Sequence, residues 1–416
     1  MKSTFFILLL AFNLSDPVFS KTEERILSDE EVLEYIEKNR PLKSGVIHSD
    51  LKDRLGTTHV GGKYFLTKEP FLLEGARKID QMGYGVAKFW FRKNSTRYYP
   101  FNSKWDLPEE ITLKELAQHP YWKACFELPF STFALSIGEP GVRSDRASIL
   151  KEKEEIYELT KYLLEQYKDR EVTFILHNWE GDWILRGGTG EDAMWSNYPG
   201  EHLYGDRYGV EVPDDALSRV NTMVLWFKSR QAGVSKARAE MKDRSKCKVF
   251  HAIEANKVLD SMYGIPGIAN CVLPFVETDM VSWSSYDGLD ESGIALYRGL
   301  KYLRRNMRST EYMDGKKIVF IGEIGIPEQI HYELKTRDAF VERWDIYLGV
   351  CLALDVPYLI HWQLYCNEPK EQRLRHVMQP RKTEEMRGYW LIRPDGTKTY
   401  AGGYFEKLME KAGRSD

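Results

Sequence analysis

Two glutamates stand where apolar runs stop. Glu180 lies in residues 174–183 (FILHNWEGDW) and Glu323 in residues 320–327 (FIGEIGIP). Each run is rich in β-branched and aromatic residues, the composition of a buried strand, so each carboxyl is carried to the mouth of a strand. Other polar and aromatic groups arrive in the same way. Trp90, Gly138-Glu139-Pro140, His177 with Asn178, Glu254, Trp283 with Tyr286 and Asp287, and Trp362 with Gln363 all fall at or just past the ends of comparable runs. Two carboxyl groups facing one another can divide a reaction, one staying protonated to donate to a leaving oxygen and the other ionised to attack or to activate water. Cleavage of a glycosidic bond needs that division. The indoles fit the same substrate: a pyranose ring offers C–H faces that stack on tryptophan, and hydroxyls that call for Asp, Glu, Asn, Gln and His.

The elements that must position these groups repeat one theme, a short apolar run, a polar loop and an amphipathic helix. Strands are expected at 85–91 (GVAKFWF), 129–137 (PFSTFALSI), 171–177 (EVTFILH), 248–254 (KVFHAIE), 280–286 (MVSWSSY), 317–323 (KIVFIGE) and 357–364 (PYLIHWQL). An eighth precedes them, at 45–49 or, because a helix pattern follows it directly, at 56–60 (GTTHV). Helices are expected at 70–82, 147–167, 214–241, 292–307 and 336–354, each with apolar residues at three- and four-residue spacing. Eight strands alternating with helices close as a (β/α)8 TIM barrel of the α/β class; an open doubly wound sheet is the alternative. A helix at 29–39 lies outside the repeat and is expected to cover the barrel's bottom. Near the C-terminus, GYWLIRPDGTKTYAGGYF (388–405) reads as a short β-hairpin around Pro-Asp-Gly leading into a last helix from Tyr404. In a parallel barrel the C-terminal strand ends carry the loops that do chemistry, so the glutamates and indoles converge on one rim.

Composition narrows the partners. The chain has 416 residues, 43% hydrophobic, with 11 Trp and 24 Tyr, and a net charge of −3. It is globular, and with no overall basic field neither nucleic acid nor an anionic membrane is favoured. The first 20 residues place Lys2 ahead of a short apolar stretch and small residues up to Ser20, the layout of a secretory signal peptide, with the barrel occupying 21–416. A secreted or periplasmic protein is expected, and no other run is long enough to span a bilayer. Asn94-Ser95-Thr96 matches the acceptor pattern for an N-linked glycan. The five cysteines lie far apart without metal-ligand spacing, allow at most two bridges, and leave at least one thiol unpaired in any scheme. The nine histidines show no paired spacing, and GGTGED (187–192) lacks the lysine and preceding strand of a phosphate loop, so neither metal nor cofactor is expected. Oligomeric state is left open.

Taken together, the strand-4 end with Asn shortly before Glu, FIGEIGIP, IHWQLY (360–365) and the closing 388–405 segment resemble the retaining (β/α)8 glycoside hydrolases of the superfamily known as clan A. The resemblance spans most of the barrel and implies roles: Glu180 as acid/base, Glu323 as nucleophile, Tyr286 as the nucleophile's neighbour and Trp362 as the floor of a sugar subsite. His177, Asn178, Trp183, Glu254, Trp283 and Gln363 complete the candidate substrate contacts. One departure stands out. In that superfamily Asn usually sits immediately before the acid/base Glu, whereas here Trp179 intervenes. If the extra residue turns Glu180 away, Glu254, Glu139 or Asp182 becomes the candidate acid. Ordinary readings stand beside these: tryptophans in strands are mostly core fillers, His177 is as well explained by a core hydrogen bond, and Gly322 and Gly325 serve either ligand approach or barrel packing. The glycine-rich segment 181–213, carrying Trp183, Trp195, Tyr198, Tyr204 and Tyr208, is too long for a simple connector and is expected to form a lid or cleft wall. Besides a retaining hydrolase, a transglycosylase and a carbohydrate-binding barrel without catalysis share these features.

Overall fold

A computed structural model describes residues 25–138, 145–198, 200, 209–242, 244–331, 333–371, 374 and 381–413. The signal-like segment 1–20 and Glu139 lie outside the described residues. Eight parallel strands close on themselves: β1 Leu55–His59, β2 Val86–Phe91, β3 Thr132–Ile137, β4 Thr173–His177, β5 Lys248–Ala255, β6 Met280–Ser284, β7 Ile318–Ile324 and β8 Leu359–His361, with β8 pairing back onto β1. This is the expected (β/α)8 barrel. The open question at its start resolves at Leu55–His59, while residues 45–50 form no strand. All five residues of β1 are buried between β2 and β8, which is what closes the sheet.

The outer layer is α2 Phe71–Gln81, α3 Arg146–Gln166, α4 Ala216–Met241, α5 Ile294–Asn306 and α6 Arg337–Ala353, with α1 Asp29–Asn39 before the repeat and α7 Tyr400–Ala412 after it. Each repeat helix lies within two residues of its expected bounds. Between β2 and β3 the connection holds three short helices, Ser95–Tyr98, Leu113–Gln118 and Pro120–Phe126, and Trp122 and Phe126 of the last receive the outward faces of the strands. Strand alternation then decides what points inward. On β2, Phe89 and Phe91 pack on Trp122 of the helix layer, so Lys88 and Trp90 face the barrel interior and its mouth.

Helix α1 is capped by a Ser28–Glu31 capping box, and its buried Val32 and Ile36 pack against α5 and α6. It therefore covers the helix layer instead of the strand N-termini, where the short helix Leu51–Arg54 sits against β1 and β2. Its docking is fastened by Arg40, whose guanidinium donates to Asp345 at 3.0 Å in a fully buried position on α6. The C-terminal hairpin is reduced to one antiparallel bridge, Ile392 with Lys398, around the turn at Gly396. Helix α7 begins at Tyr400, four residues earlier than expected, because the Thr399 hydroxyl accepts from Gly402 N and caps it. All five cysteines are free thiols. Among the described residues no helix is long and apolar enough to cross a membrane.

Candidate active site

At the C-terminal mouth of the barrel lies a cleft of about 860 Å³, lined by Trp90, Trp179, Glu180, Trp183, Tyr286, Glu323, Trp362, Glu368, Arg387 and Tyr389 among others. A groove of equal volume beside Lys228, Arg238, Phe275 and Tyr312 is lined by Glu277 and Glu311, of which Glu277 pairs with Arg308 at 3.0 Å. The buried carboxyls of Glu180 and Glu323 both line the cleft at the mouth, where a parallel barrel carries its βα loops.

Glu323 is delivered by a bulge. Along β7, Ile321 and Glu323 pair with the consecutive residues Trp283 and Ser284 of β6, so Gly322 is an extra residue, and the pairing with β8 slips at the same place. An ideal Cβ on Gly322 would lie 1.8 Å from Ser282 Oγ and 2.6 Å from Glu254 Oε2, so only glycine fits. The slip turns the Glu323 carboxyl toward the cleft, where Oε1 accepts from the Tyr286 hydroxyl at 3.2 Å and Oε2 from Lys88 Nζ at 3.1 Å. Gly325 is likewise a packing glycine, its Cβ position blocked by the Trp362 carbonyl at 2.7 Å.

Glu180 follows an irregular end of β4. Asn178, two residues earlier, reaches across to β5 and replaces the missing ladder: its Nδ2 donates to Glu254 O at 3.0 Å and its Oδ1 accepts from Glu254 N at 2.9 Å. Trp179 then swings into the cleft wall, and Glu180 adopts a left-handed backbone (φ 33°, ψ 71°) at the start of the short helix Gly181–Arg186. A non-glycine residue held there costs about 1–3 kcal/mol, which neighbouring contacts must offset. They do so on both sides of the residue: Glu180 N donates to Glu254 Oε1 at 3.1 Å, and Glu180 Oε1 accepts from Ser284 Oγ at 2.7 Å. Because Ser284 is the register partner of Glu323, one residue's side chain and backbone place the two carboxyls together. The extra tryptophan thus reorients Glu180 into the site.

Beneath the pair lies a buried charge network. Lys88, fully buried, donates to Gly322 O at 2.9 Å and Glu323 Oε2, and lies 3.4 Å from Glu254 Oε2. Burial pushes the Glu180 carboxyl well above the usual range, and the negative charge of Glu323 pushes it further. Burial also raises Glu323, but Lys88 opposes it and leaves the group at about 7. Glu254 is buried as well, yet Lys88, then His177 and Ser282, outweigh that burial and bring it below the ordinary carboxylate value. Around neutral pH the order is therefore a protonated Glu180 facing an ionisable Glu323, separate roles imposed by separate surroundings.

The candidate contacts divide. The cleft brings together Glu180, Glu323, Trp183, Tyr286 and Trp362; the Trp362 indole donates to Glu368 Oε1 at 3.2 Å, and its peptide bond to Gln363 is cis. Trp362, Trp90 and Trp179 form a continuous wall, the Trp90 ring centroid lying 5.9 Å from that of Trp179 and 6.4 Å from that of Trp362. Four other candidates do not reach the cleft. Asn178 spends its amide on the β5 backbone. Glu254 is fully buried and engaged by Glu180, Ser282 and Lys88. His177 is buried against Glu254 at 3.6 Å, with burial lowering its imidazole to about 3, so it is a neutral core residue. Gln363 is buried, and its amide finds no hydrogen-bond partner among the described residues. Trp283 does not reach the cleft either: with Ser282 and Ser284 pointing inward, it faces outward, packs beneath Gly288 and Gly299, and donates to Asp287 at 3.0 Å. As to the substitute acids, Asp182 is fully buried and accepts from the backbone N–H groups of Asn256, Lys257 and Ile268, which leaves it unavailable.

In the segment 181–213, Trp183 lines the cleft with Lys257 Nζ 4.6 Å above its ring, Trp195 is buried under Arg186 and Arg219, and Tyr198 is exposed. Tyr204 and Tyr208 lie outside the described residues. Sequence reasoning missed Lys88, Ser282, Ser284, Glu368, Arg387 and Tyr389. A signal existed for Lys88: a lysine in the middle of VAKFWF, a run otherwise apolar, is rare unless the ammonium is paired inside. Among the described residues no group of three or more His, Cys, Asp or Glu is arranged to hold a metal ion.

No family model matches the chain, and no curated protein matches it. Solved structures it resembles include the catalytic domain of a Bacillus sp. JAMB-750 GH26 endo-β-1,4-mannanase (12% identity over 92% of this chain and 90% of that one, TM-score 0.45). Others are a GH10 endoxylanase retrieved from a sugarcane soil metagenome (11% identity, 87% and 98%, TM-score 0.43) and the alkaline cellulase K catalytic domain (13% identity, 86% and 88%, TM-score 0.38). The barrel is read from its own strand pairing, and the chemistry from its own side chains.

Proposed function

We propose that this protein is a glycoside hydrolase that cleaves O-glycosidic bonds of an oligo- or polysaccharide with retention, by double displacement on Glu323 and Glu180. The observation that carries the reading is the carboxyl pair itself: Glu180, bonded to Ser284, and Glu323, bonded to Tyr286 and Lys88, both open on a cleft walled by Trp90, Trp179, Trp183 and Trp362, with burial raising Glu180 and Lys88 opposing the rise of Glu323. In the first step the Glu323 carboxylate attacks the anomeric carbon while Glu180 gives its proton to the departing oxygen. In the second, Glu180, now a carboxylate, takes a proton from water, which displaces Glu323 and restores both groups. Tyr286 donates to Glu323 and keeps its attacking oxygen oriented. The layout of residues 1–20 supports export of the protein before it acts.

The test is turnover on a panel of plant, fungal and bacterial glycans, with product stereochemistry followed by proton NMR. Retention is expected, with loss of turnover in Glu323→Gln and a loss of about 10²–10⁴-fold in Glu180→Gln on substrates with poor leaving groups. Wild-type turnover by Glu323→Gln would sink the nucleophile assignment, and an inverted product would sink double displacement.

A further inference from the structure

We propose that Glu254 is a positioning residue of this site, a single buried carboxylate that anchors the backbone of Glu180 with one oxygen and shares the Lys88 ammonium with Glu323 through the other. The inference rests on the reading of Glu180 and Glu323 as the reacting pair and adds to it a third acidic group that never meets substrate.

The geometry assigns each oxygen of Glu254 a separate task. Oε1 accepts from Glu180 N at 3.1 Å, at the residue whose backbone is left-handed. Oε2 accepts from Ser282 Oγ at 2.7 Å and faces Lys88 Nζ at 3.4 Å. Its own backbone is clamped on both sides by the Asn178 amide, and Gly181 is forced to be glycine because a Cβ there would stand 2.6 Å from Glu254 O. The end of β4 and the end of β5 are thus locked together around this one residue. Both oxygens accept, and a glutamine would keep only one acceptor while turning an NH2 toward either Glu180 N or Ser282 and Lys88, so the two contacts select a carboxylate; what its charge does beyond them needs its own explanation.

That explanation lies in the charges that face it. Lys88 comes from β2, His177 from β4, Glu180 from the turn after β4, Glu323 from β7 and Tyr286 from the loop after β6; Glu368 and Tyr389 face the same pocket from the cleft side, and Arg230 from α4 acts on His177 from behind β4. With His177 neutral, Lys88 is the single cation among them at the centre, set between two carboxylates. If Lys88 served Glu323 alone, it would hold that carboxylate far down; sharing it with Glu254 lets Glu323 stay basic enough to attack. The negative charge of Glu254 also keeps the proton on Glu180. Both effects act in one direction, so removing the charge moves both reacting groups together.

The experiment is the pH profile of kcat/KM for Glu254→Gln, Lys88→Met/Glu254→Gln and wild type, together with isotope-edited infrared titration of the carboxyls in each, which needs no turnover. In Glu254→Gln both limbs of the profile move to lower pH by roughly 1 unit, while KM changes little because Glu254 does not line the cleft. In the double variant, with cation and anion both gone, the acid limb moves back up. A profile unmoved in Glu254→Gln, limbs that move in opposite directions, or a KM that rises with unmoved limbs would each overturn the proposal. If Glu254→Gln does not fold, the double variant decides: its Glu323 titration should lie at or above that of wild type, and a lower value overturns the inference. Should wild type cleave no glycan, the function proposed above fails, while the infrared titration still reports whether Glu254 sets the two carboxyls.

Discussion

Replacing Gly322 by alanine tests the architecture of the site without reference to substrate. The added methyl would lie 1.8 Å from Ser282 Oγ, 2.6 Å from Glu254 Oε2 and 3.2 Å from Ser282 Cβ, so either a side chain or strand β7 must give way. If Ser282 rotates, its 2.7 Å bond to the Glu254 carboxylate is lost, at about 1.5–3 kcal/mol for a hydrogen bond to a charged group. If β7 shifts instead, overpacking costs about 1–3 kcal/mol and Glu323 moves with it. Neither escape is complete, so the expected destabilisation is about 3–5 kcal/mol, a large share of an ordinary protein's stability. The assay is urea unfolding followed by tryptophan fluorescence for Gly322→Ala, Ser282→Ala and the double variant. Ser282→Ala removes the nearest obstacle, so the double variant should be more stable than the sum of the singles predicts, with a coupling of about 1–2 kcal/mol. A Gly322→Ala cost under about 1 kcal/mol, or strict additivity, would refute the claim that the bulge requires glycine because Ser282 and Glu254 occupy the space.

Two further outcomes follow from where side chains point. Trp283→Ala should cost about 3–5 kcal/mol of stability, measured by the same unfolding, with KM unchanged in whatever fraction stays folded, because the indole fills the strand–helix layer; Trp362→Ala should instead raise KM several-fold, about 1 kcal/mol of lost stacking, with little loss of stability. Burial raises Glu323 from 4.5 to about 7, so its contribution to stability is present below pH 4.5 and is lost as pH rises through 7. The unfolding free energy of wild type, compared with Glu323→Gln across that window, should accordingly fall by up to about 3 kcal/mol relative to the variant; a flat difference would contradict the raised value.

Much of this protein is legible in its sequence. The short apolar runs and the period-3.6 patterns locate seven barrel strands and the repeat helices and leave the first strand between two segments, because a strand buried on both faces must be apolar along its length and a covering helix along one stripe. The same patterns put Glu180 and Glu323 at strand mouths, since polarity returns where burial ends. What they do not decide is which way a residue faces once regularity breaks. Alternation alone is blind to an inserted residue: the extra Gly322 in β7 sends Glu323 into the cleft, and the residue added at Trp179 lets Asn178 bind the β5 backbone while Glu180 turns back inward. Register, too, belongs to neighbours. Trp283 lies outside and Ser284 inside because of the strands they pair with, and Glu254 near the end of its strand is buried support because Lys88, delivered by β2, fills the interior beside it. Local sequence determined the elements and the chemical types at their ends, since these follow from burial and backbone propensity. Only the closed barrel decided which carboxyls meet, which are consumed as scaffold and which one shares a cation, since those outcomes depend on contacts between residues far apart in the chain.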